Sequence, residues 1–497
     1  MESPIASPLL ARLAAHPPDR VAMTAGGAAV SYRDVDTRTT SMAAALASGG
    51  DLRGARVAFL AEAGPTHLMT LLGILRAGGV AVPLSPLHTR PELEFLIGDA
   101  GPVRLLATAG QRAALEAAAG GRSVLDVDTL VSGARLPATP ARDAPAIMLY
   151  TSGTTGRPKG VRLSHAAVAA TVEALEGAWR WRADDRLLHV LPLHHTHGLI
   201  VAALGALWAG AEVRFLPFEA RAAWEALADA TVFMAVPTIY AKLLDAFRAA
   251  DDATRARWTA HAARLRLFTS GSAALPAGVL EEFRAATTQT ILERYGMTEI
   301  GMALSNPYDG PRVPGAVGAP LPGVEVDVVR DDGAPADVDE PGELRVRSTQ
   351  MFSGYHGDEA ATASSFDGEG RFRTGDTGRR DAAGVIRILG RTSVDIIKSA
   401  GYKLSALEIE AALREHPAVA EVAVVGVPDA SWGEVVTACV VARAGARVAL
   451  DDLVAFARAH LAPYKLPRAL RLCDALPRNA MGKVQKKQLL REIGDGA

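Results

Sequence analysis

The chain has 497 residues, more than one hydrophobic core usually supports, so two or more domains are expected. Its residues are 49% hydrophobic and 22% charged, with a formal net charge of −2, an ordinary globular composition that carries no basic footprint for nucleic acid. Cys439 and Cys473 are too few for a disulfide framework or a cysteine zinc site and fit a reducing interior.

The start, Met1-Glu2-Ser3-Pro4, carries an acid and no basic run, unlike a targeting peptide. Val57 to Leu60 reads as a buried strand. Pro65 opens a helix whose Leu68, Leu71, Leu72 and Leu75 share one apolar face, and Gly78-Gly79 stops it. Val80 to Leu84 is the next strand, Pro91 to Ala100 a helix, Val103 to Ala107 a third strand, and the Ala-rich stretch 111–121 a good helix former. Repeated βαβ units imply a parallel sheet covered by helices. A second run begins with a strand at Ala146 to Tyr150, and Ser164 suits the cap of a following helix. Further strands are expected at Arg186–Leu191, Ala211–Leu216, Val232–Val236 and Leu265–Thr269. The apolar run Gly198 to Ala211 is shorter than the ~20 residues of a membrane span and reads as a buried helix. A cytoplasmic protein without a membrane span is the expectation.

From Gly318 to Leu389 short strands at Val324–Arg330, Gly342–Arg347 and Val385–Ile388 suggest an antiparallel subdomain, a small barrel or open sheet. Beyond Arg391 the pattern returns to helices at Leu407–His416 and Leu453–Leu461 around strands at Glu421–Val427 and Val435–Val441. The boundary is therefore placed between a domain at 1–390 and one at 391–497.

Six segments carry chemistry. Tyr150-Thr151-Ser152-Gly153-Thr154-Thr155-Gly156-Arg157-Pro158-Lys159-Gly160 joins four Ser/Thr hydroxyls, three glycines and two cations behind an apolar strand. Glycines let backbone N–H groups close on an anion, so this is a polyphosphate cradle, though not a Walker A loop. Pro192-Leu193-His194-His195-Thr196-His197-Gly198 has too weak a ligand set for zinc, and histidines lining an apolar pocket are the better reading. Ser270-Gly271-Ser272-Ala273-Ala274-Leu275-Pro276 offers small residues against which a flat ring can slide. Glu293-Arg294-Tyr295-Gly296-Met297-Thr298-Glu299 supplies a stacking ring, a hydroxyl and a carboxylate suited to Mg²⁺. Arg373-Thr374-Gly375-Asp376 places a carboxylate where a ribose could be held, and Pro477-Arg478-Asn479-Ala480-Met481-Gly482-Lys483 ends in a lysine.

In this order the segments resemble the adenylate-forming superfamily of acyl-CoA synthetases, luciferases and peptide-synthetase adenylation domains, over nearly the whole chain. The resemblance implies two αβ subdomains plus a distorted antiparallel barrel, followed by a small mobile α+β C-terminal domain. It implies ATP, Mg²⁺ and coenzyme A as cofactors and co-substrates, and a carboxylic acid that becomes an acyl-adenylate and then a CoA thioester. Thr151, Ser152, Gly153, Thr154, Thr155, Gly156 and Lys159 would hold phosphates, with Thr151, Thr298 and Glu299 at the metal. Ser272, Ala273, Ala274, Glu293, Arg294, Tyr295, Gly296 and Met297 would surround the nucleotide, and Asp376 with Arg391 the ribose. Lys483 would act in adenylation, with His195 also in the catalytic set. Lys398, Gly401, Tyr402 and Lys403 would serve CoA transfer after the small domain turns. Many relatives carry Asp or Lys two residues after the arginine matching Arg391, and this chain has Ser393.

Within the superfamily the wording of Met234-Ala235-Val236-Pro237-Thr238 and of the segments around Ser272 and Tyr295 looks most like malonyl- and methylmalonyl-CoA synthetases. The acyl pocket is expected to be lined by His195, His197, Ser272, Arg294 and Met302. Arg294 gives an independent reason, because a dicarboxylate needs a cation for its second carboxylate. The alternatives are that Arg294 pairs with Glu293 or another carboxylate, that the acid is a short or medium monocarboxylate, or that the enzyme loads a carrier protein. A monomer or homodimer is expected.

Overall fold

The computed structural model describes residues 6–133, 138–151, 158–399, 402–429, 432–478 and 484–494, and of Lys403 the backbone only. The chain forms two compact units, Met1–Glu325 with Val346–Phe372, and Val326–Arg345 with Arg373–Ala497.

The first unit holds two sheets. One has seven strands in the order Gly354–Tyr355, Lys159–Ser164, Pro145–Thr151, Val80–Leu84, Arg56–Leu60, Arg104–Ala107, Val124–Asp126. The other has nine, in the order Ala319–Pro320, Gly301–Ser305, Leu292–Met297, Leu267–Ser270, Val232–Ala235, Arg186–His189, Glu212–Phe215, Val21–Ala25, Ala28–Ser31. The central pairings of both are parallel, as the βαβ reading requires. The expected helix at Pro65 runs Pro65–Arg76 with proline in its first turn, and Gly78 beyond it takes φ +80°, a left-handed conformation that suits glycine. Ser164 caps His165–Ala178 by accepting from the Ala167 N–H at 3.1 Å. The apolar run after His197 is buried, but its first part, His197–Leu204, is wound as a π-helix, a form that often marks a functional site.

Sequence reasoning passed over the first fifty residues, where the helix Tyr32–Ser48 packs Val35, Thr39, Met42 and Leu46 inward. Its signal was present: Ser31 accepts from the Asp34 N–H, and the Asp34 carboxylate accepts from the Ser31 N–H at 2.8 Å, a capping box.

In the second unit, the strands Val324–Val329, Gly342–Ser348, Phe372–Arg380 and Ile386–Arg391 form a sheet of four. The expected distorted barrel is thus an open sheet among the described residues, because four strands leave two edges that the tilt of a barrel cannot bring together. Beyond it Tyr402–Ser405, Ile396–Ser399, Gly433–Ala442 and Val419–Asp429 make a second sheet, with Ala469–Leu472 parallel to Gly433–Ala442. Helices Ala406–Arg414 and Leu450–Ala457 bury Ile409, Leu413 and Leu453 with its valines.

Aromatic packing fixes the helices beside the nine-stranded sheet. Trp224 and Trp258 stack with centroids 5.6 Å apart and planes 4° from parallel, and the Trp224 Nε1–H donates to the Leu243 carbonyl at 2.9 Å. Trp224 is wholly buried, so Trp224→Ala should lower the unfolding free energy by about 3–5 kcal/mol. The urea midpoint of the transition that reports on the first unit measures it.

Candidate active site

The strands Pro145–Thr151 and Lys159–Ser164 pair antiparallel and bring Thr151 opposite Lys159. The expected phosphate-binding residues Ser152, Gly153, Thr154, Thr155 and Gly156 lie outside the described residues, but both ends of that segment are fixed by this pairing. Lys159 Nζ lies 4.7 Å from the centre of the Tyr355 ring, and the Tyr355 hydroxyl donates to Glu299 Oε1 at 3.1 Å. The His356 N–H bonds the Gly160 carbonyl at 2.7 Å, and the Phe352 N–H bonds the Glu299 carbonyl at 2.9 Å. Tyr355 thus links the last cation of the glycine-rich segment to the expected metal carboxylate. Its ring is fixed by Phe352, 5.0 Å away. Sequence reasoning missed Tyr355, since nothing local to Gly354-Tyr355 distinguishes it from a core tyrosine.

Glu299 is buried, and the adjoining Thr298 hydroxyl shares a 2.8 Å hydrogen bond with that of Thr196. Among the described residues no group of three or more His, Cys, Asp or Glu could hold a metal ion alone. One buried carboxylate fits Mg²⁺, which is commonly held by one or two carboxylates together with phosphate oxygens.

The second cluster lies at the ends of the strands Leu267–Ser270 and Leu292–Met297. Arg294 is only 4% exposed, and its Nε and Nη2 have no hydrogen-bond partner among the described residues. Burial lowers its pKa to about 10, so it stays charged at neutral pH. The neighbouring Glu293 has partners of its own: its Oε1 accepts from the Gly315 N–H at 2.9 Å, and its carbonyl accepts from Asn306 Nδ2. Arg294 and Tyr295 are successive residues of one strand, so alternation sends them to opposite faces, and a bulge follows at Tyr295/Gly296.

Close approach explains two glycines here. A Cβ on Gly271 would stand 2.2 Å from Arg294 Nη1, so the guanidinium lies flat against that backbone. One on Gly296 would stand 2.1 Å from Met302 Cε. Beside them Ser272, at φ +68°, places its hydroxyl 3.3 Å from His197 Nδ1. Ala273 and Ala274 are exposed, and Met302 is buried with its N–H on Gln350 Oε1 at 2.9 Å. Tyr240, whose hydroxyl donates to the Thr269 carbonyl, and the unpartnered hydroxyls of Thr269 and Ser270 complete the polar set.

Several imidazoles belong to this region. The rings of His194 and His195 are 4.0 Å apart, and His88 is 5.8 Å from His194. His189 Nε2 meets the Gly198 carbonyl at 2.9 Å, and His67 Nδ1 meets that of Ala61 at 3.2 Å. Burial, with like charges nearby, pulls His194 down to about 2 and His195 to about 4, and holds His197, beside Arg294, well below its ordinary value. At neutral pH these rings are uncharged, which leaves Arg294 as the cation of the cluster.

In the second unit Asp376 and Arg391 face each other across two antiparallel strands, and Arg391 Nε lies 2.9 Å from Asp376 Oδ1. Arg391 Nη1 also donates to the Thr374 carbonyl at 2.8 Å. Lys398 is exposed, with its N–H on Glu434 Oε2, and Tyr402 stacks on Tyr464 at 4.5 Å. Gly401, Lys483 and the side chain of Lys403 lie outside the described residues.

A Lys159–Tyr355–Glu299 link at the end of a glycine-rich sequence, on a two-sheet αβ unit followed in the chain by a small α+β region, defines an adenylate-forming enzyme. The chain belongs to the AMP-binding enzyme family, whose sequence pattern matches residues 10–356 and whose C-terminal domain pattern matches 408–483. It is 42% identical to the mitochondrial malonate–CoA ligase ACSF3 of Mus musculus, over 96% of this chain and 89% of that one. It is 39% identical to a malonate–CoA ligase of Arabidopsis thaliana, over 89% and 79% respectively. Among solved structures, ATP-bound MatB of Rhodopseudomonas palustris superposes with a TM-score of 0.89 at 39% identity, covering 98% of this chain and 99% of MatB.

Tyr355→Phe keeps the ring packing and removes the hydrogen bond to Glu299. Losing a bond to a charged group costs roughly 1.5–3 kcal/mol, so half-saturation by Mg²⁺ should rise about ten- to hundredfold, with KM for the acid unmoved. A Mg²⁺ titration of pyrophosphate release reads both.

The depressed imidazoles also set an acid limit. Burial also lowers His67, His165 and His189 to about 4, against an unfolded value of 6.5. Their contribution is therefore complete above pH 6.5 and is lost as pH falls toward 4, because the unfolded chain binds the extra protons. The urea midpoint should be level from pH 8 to 7 and fall between 6.5 and 5, above the range where carboxylates titrate.

Proposed function

We propose that the chain is an ATP-dependent malonate–CoA ligase, activating malonate, and methylmalonate as a close variant, through the acyl-adenylate with release of pyrophosphate and then AMP. The observation that carries this reading is the buried guanidinium of Arg294, with Nε and Nη2 unpartnered beside His197, Ser272 and the bare backbone of Gly271. A monocarboxylate has no use for such a cation, whereas the distal carboxylate of malonate would accept both free N–H groups in a forked pair.

In this reading Thr151, Lys159 and the hydroxyls of 152–155 hold the phosphates, and Tyr295 stacks on the base. Asp376, steered by Arg391, accepts from the ribose hydroxyls. Glu299, oriented by Tyr355, holds Mg²⁺, which supplies charge neutralisation at the phosphate oxygens. His195 and His197 line the acid's path as neutral groups and exclude water. Lys483 approaches between the reacting carboxylate and the α-phosphate, where its charge offsets the repulsion of two anions. Residues 1–390 then act as the binding domain and 391–497 as the moving one, with Lys398, Gly401, Tyr402 and Lys403 serving CoA transfer. The hinge near Arg391 uses backbone freedom, since Ser393 brings no charge to it.

No helix among the described residues is long and apolar enough to cross a membrane. Both cysteines are free thiols, which supports a reducing compartment, in our reading the cytoplasm, although the mouse relative's name places that protein in mitochondria.

A panel of malonate, methylmalonate, succinate, oxalate and butyrate, followed by pyrophosphate release and acyl-CoA mass, tests the assignment. Malonate should lead. In Arg294→Ala, an unpaired carboxylate in the pocket costs about 3–5 kcal/mol, or roughly two to three orders of magnitude in kcat/KM for malonate. Relative activity on butyrate should hold or rise. Equal losses on both acids would make Arg294 structural and remove the dicarboxylate argument.

A further inference from the structure

The residues on either side of 479–483, which lie outside the described residues, are paired with one another within the second unit. Arg478 and Val484 form an antiparallel bridge, and the Gln485 N–H donates to the Pro477 carbonyl at 2.8 Å. Arg478 also pairs with Glu421. One residue beyond, Lys486 opens the helix Lys486–Gly494 and is buried at 7% exposure, an unusual place for a lysine. Its Nζ lies 2.6 Å from Asp395 Oδ1 and 2.6 Å from Glu410 Oε1.

The two carboxylates lead to different places. Glu410 projects from the helix Ala406–Arg414 and also accepts from the Val424 N–H at 2.8 Å, so this arm ties Lys486 into the hydrophobic interior. Asp395 belongs to the turn after Arg391: its Oδ2 accepts from the Arg391 N–H at 3.0 Å, and its own N–H bonds the Arg391 carbonyl at 2.7 Å. The turn needs glycine at Gly390, which takes φ +134° and where a Cβ would stand 2.4 Å from the Asp395 Cβ. Arg391 in turn holds Asp376. A chain of ionic and hydrogen bonds therefore runs Asp376, Arg391, Asp395, Lys486, and ends three residues from Lys483.

We propose that Lys486 and Asp395 are positioning residues for the adenylation half-reaction, fixing the base of the Lys483 segment to the Arg391 turn so that the lysine and the ribose carboxylate are held in one register. The Glu410 arm serves stability alone. This rests on the reading of Lys483 as the adenylation lysine. The physical reason is leverage: a lysine must be placed to within about an ångström between two anions, and misplacement of that size can cost roughly a hundredfold in rate. CoA transfer, which in that reading does not use Lys483, is indifferent to the link.

Asp395→Asn is the informative variant. It keeps the shape and an acceptor for the Arg391 N–H, leaves Lys486 paired with Glu410, and removes only the ionic link between turn and helix. Pyrophosphate release from malonate and ATP should fall in kcat by roughly a hundredfold with KM for malonate little changed, while CoA transfer to synthetic malonyl-adenylate stays within about twofold. Lys486→Arg should retain most of the adenylation that Lys486→Met loses, and Glu410→Gln should lower Tm without a selective loss of adenylation. Lys483→Ala is the control: if it leaves pyrophosphate release intact, the underlying reading fails. If Lys483→Ala abolishes release while Asp395→Asn does not, or loses both half-reactions equally, the positioning role is wrong. Failure of Asp395→Asn to fold would also overturn it, by making the link a folding device.

Discussion

A guanidinium taken out of water without an anion is expensive, and Arg294 is such a group. Desolvating an ion costs several kcal/mol even after relaxation, and no carboxylate among the described residues returns that energy. Arg294 nevertheless stays protonated at neutral pH, since burial brings its pKa down only to about 10. The rest of the cluster follows from this choice. Gly271 must lack a side chain for the guanidinium to lie where it does, and the strand Leu292–Met297 must continue through Arg294 to hold it inward. Strain of this kind is kept where a ligand relieves it.

The histidines bear on a second question, how much charge this cluster of basic side chains carries. His197 is buried and His194 and His195 are partly so, and bringing several together lowers them further, so the region offers one charge and several neutral polar edges. A protonated His197 beside Arg294 would double the positive charge and favour a dianion held too firmly to react. Neutral rings keep the field simple, and they fill space against water at the π-helical start His197–Leu204.

Much of this was legible in the sequence because it is local. The leucines at 68, 71, 72 and 75, the cap at Ser164 and the order of the glycine-rich, Glu-Arg-Tyr-Gly and Gly-Asp segments depend on neighbours a few residues away, and the observed elements at Pro65–Arg76 and His165–Ala178 agree. What was not legible is long-range. That Arg294 lies buried on its strand, with Gly271 against its guanidinium, depends on a neighbouring strand that the local sequence does not reveal. Nothing near Tyr355 announces that its hydroxyl reaches Glu299, 56 positions away. The distorted barrel was an expectation carried by resemblance, and pairing order, which decides between barrel and open sheet, is invisible to short-range pattern.

The division of cations in the proposed mechanism has a chemical logic beyond holding substrate. Malonate carries two carboxylates, and only one must attack phosphorus. A fixed, forked arginine on the reacting carboxylate would tie up the lone pairs it needs, so the permanent cation belongs at the distal end. Uncharged imidazoles beside that arginine would add no second permanent cation to compete for the reacting end. Its own cation is needed only while the two anions approach, and a lysine is suited to that, being a compact charge on a flexible stem. Removing that lysine afterwards returns the site to neutrality around the adenylate, so that the incoming thiolate meets an acyl carbon whose distal charge is still paired with Arg294. A monocarboxylate would leave that guanidinium uncompensated through both steps, and discrimination against it is therefore applied twice with a single residue.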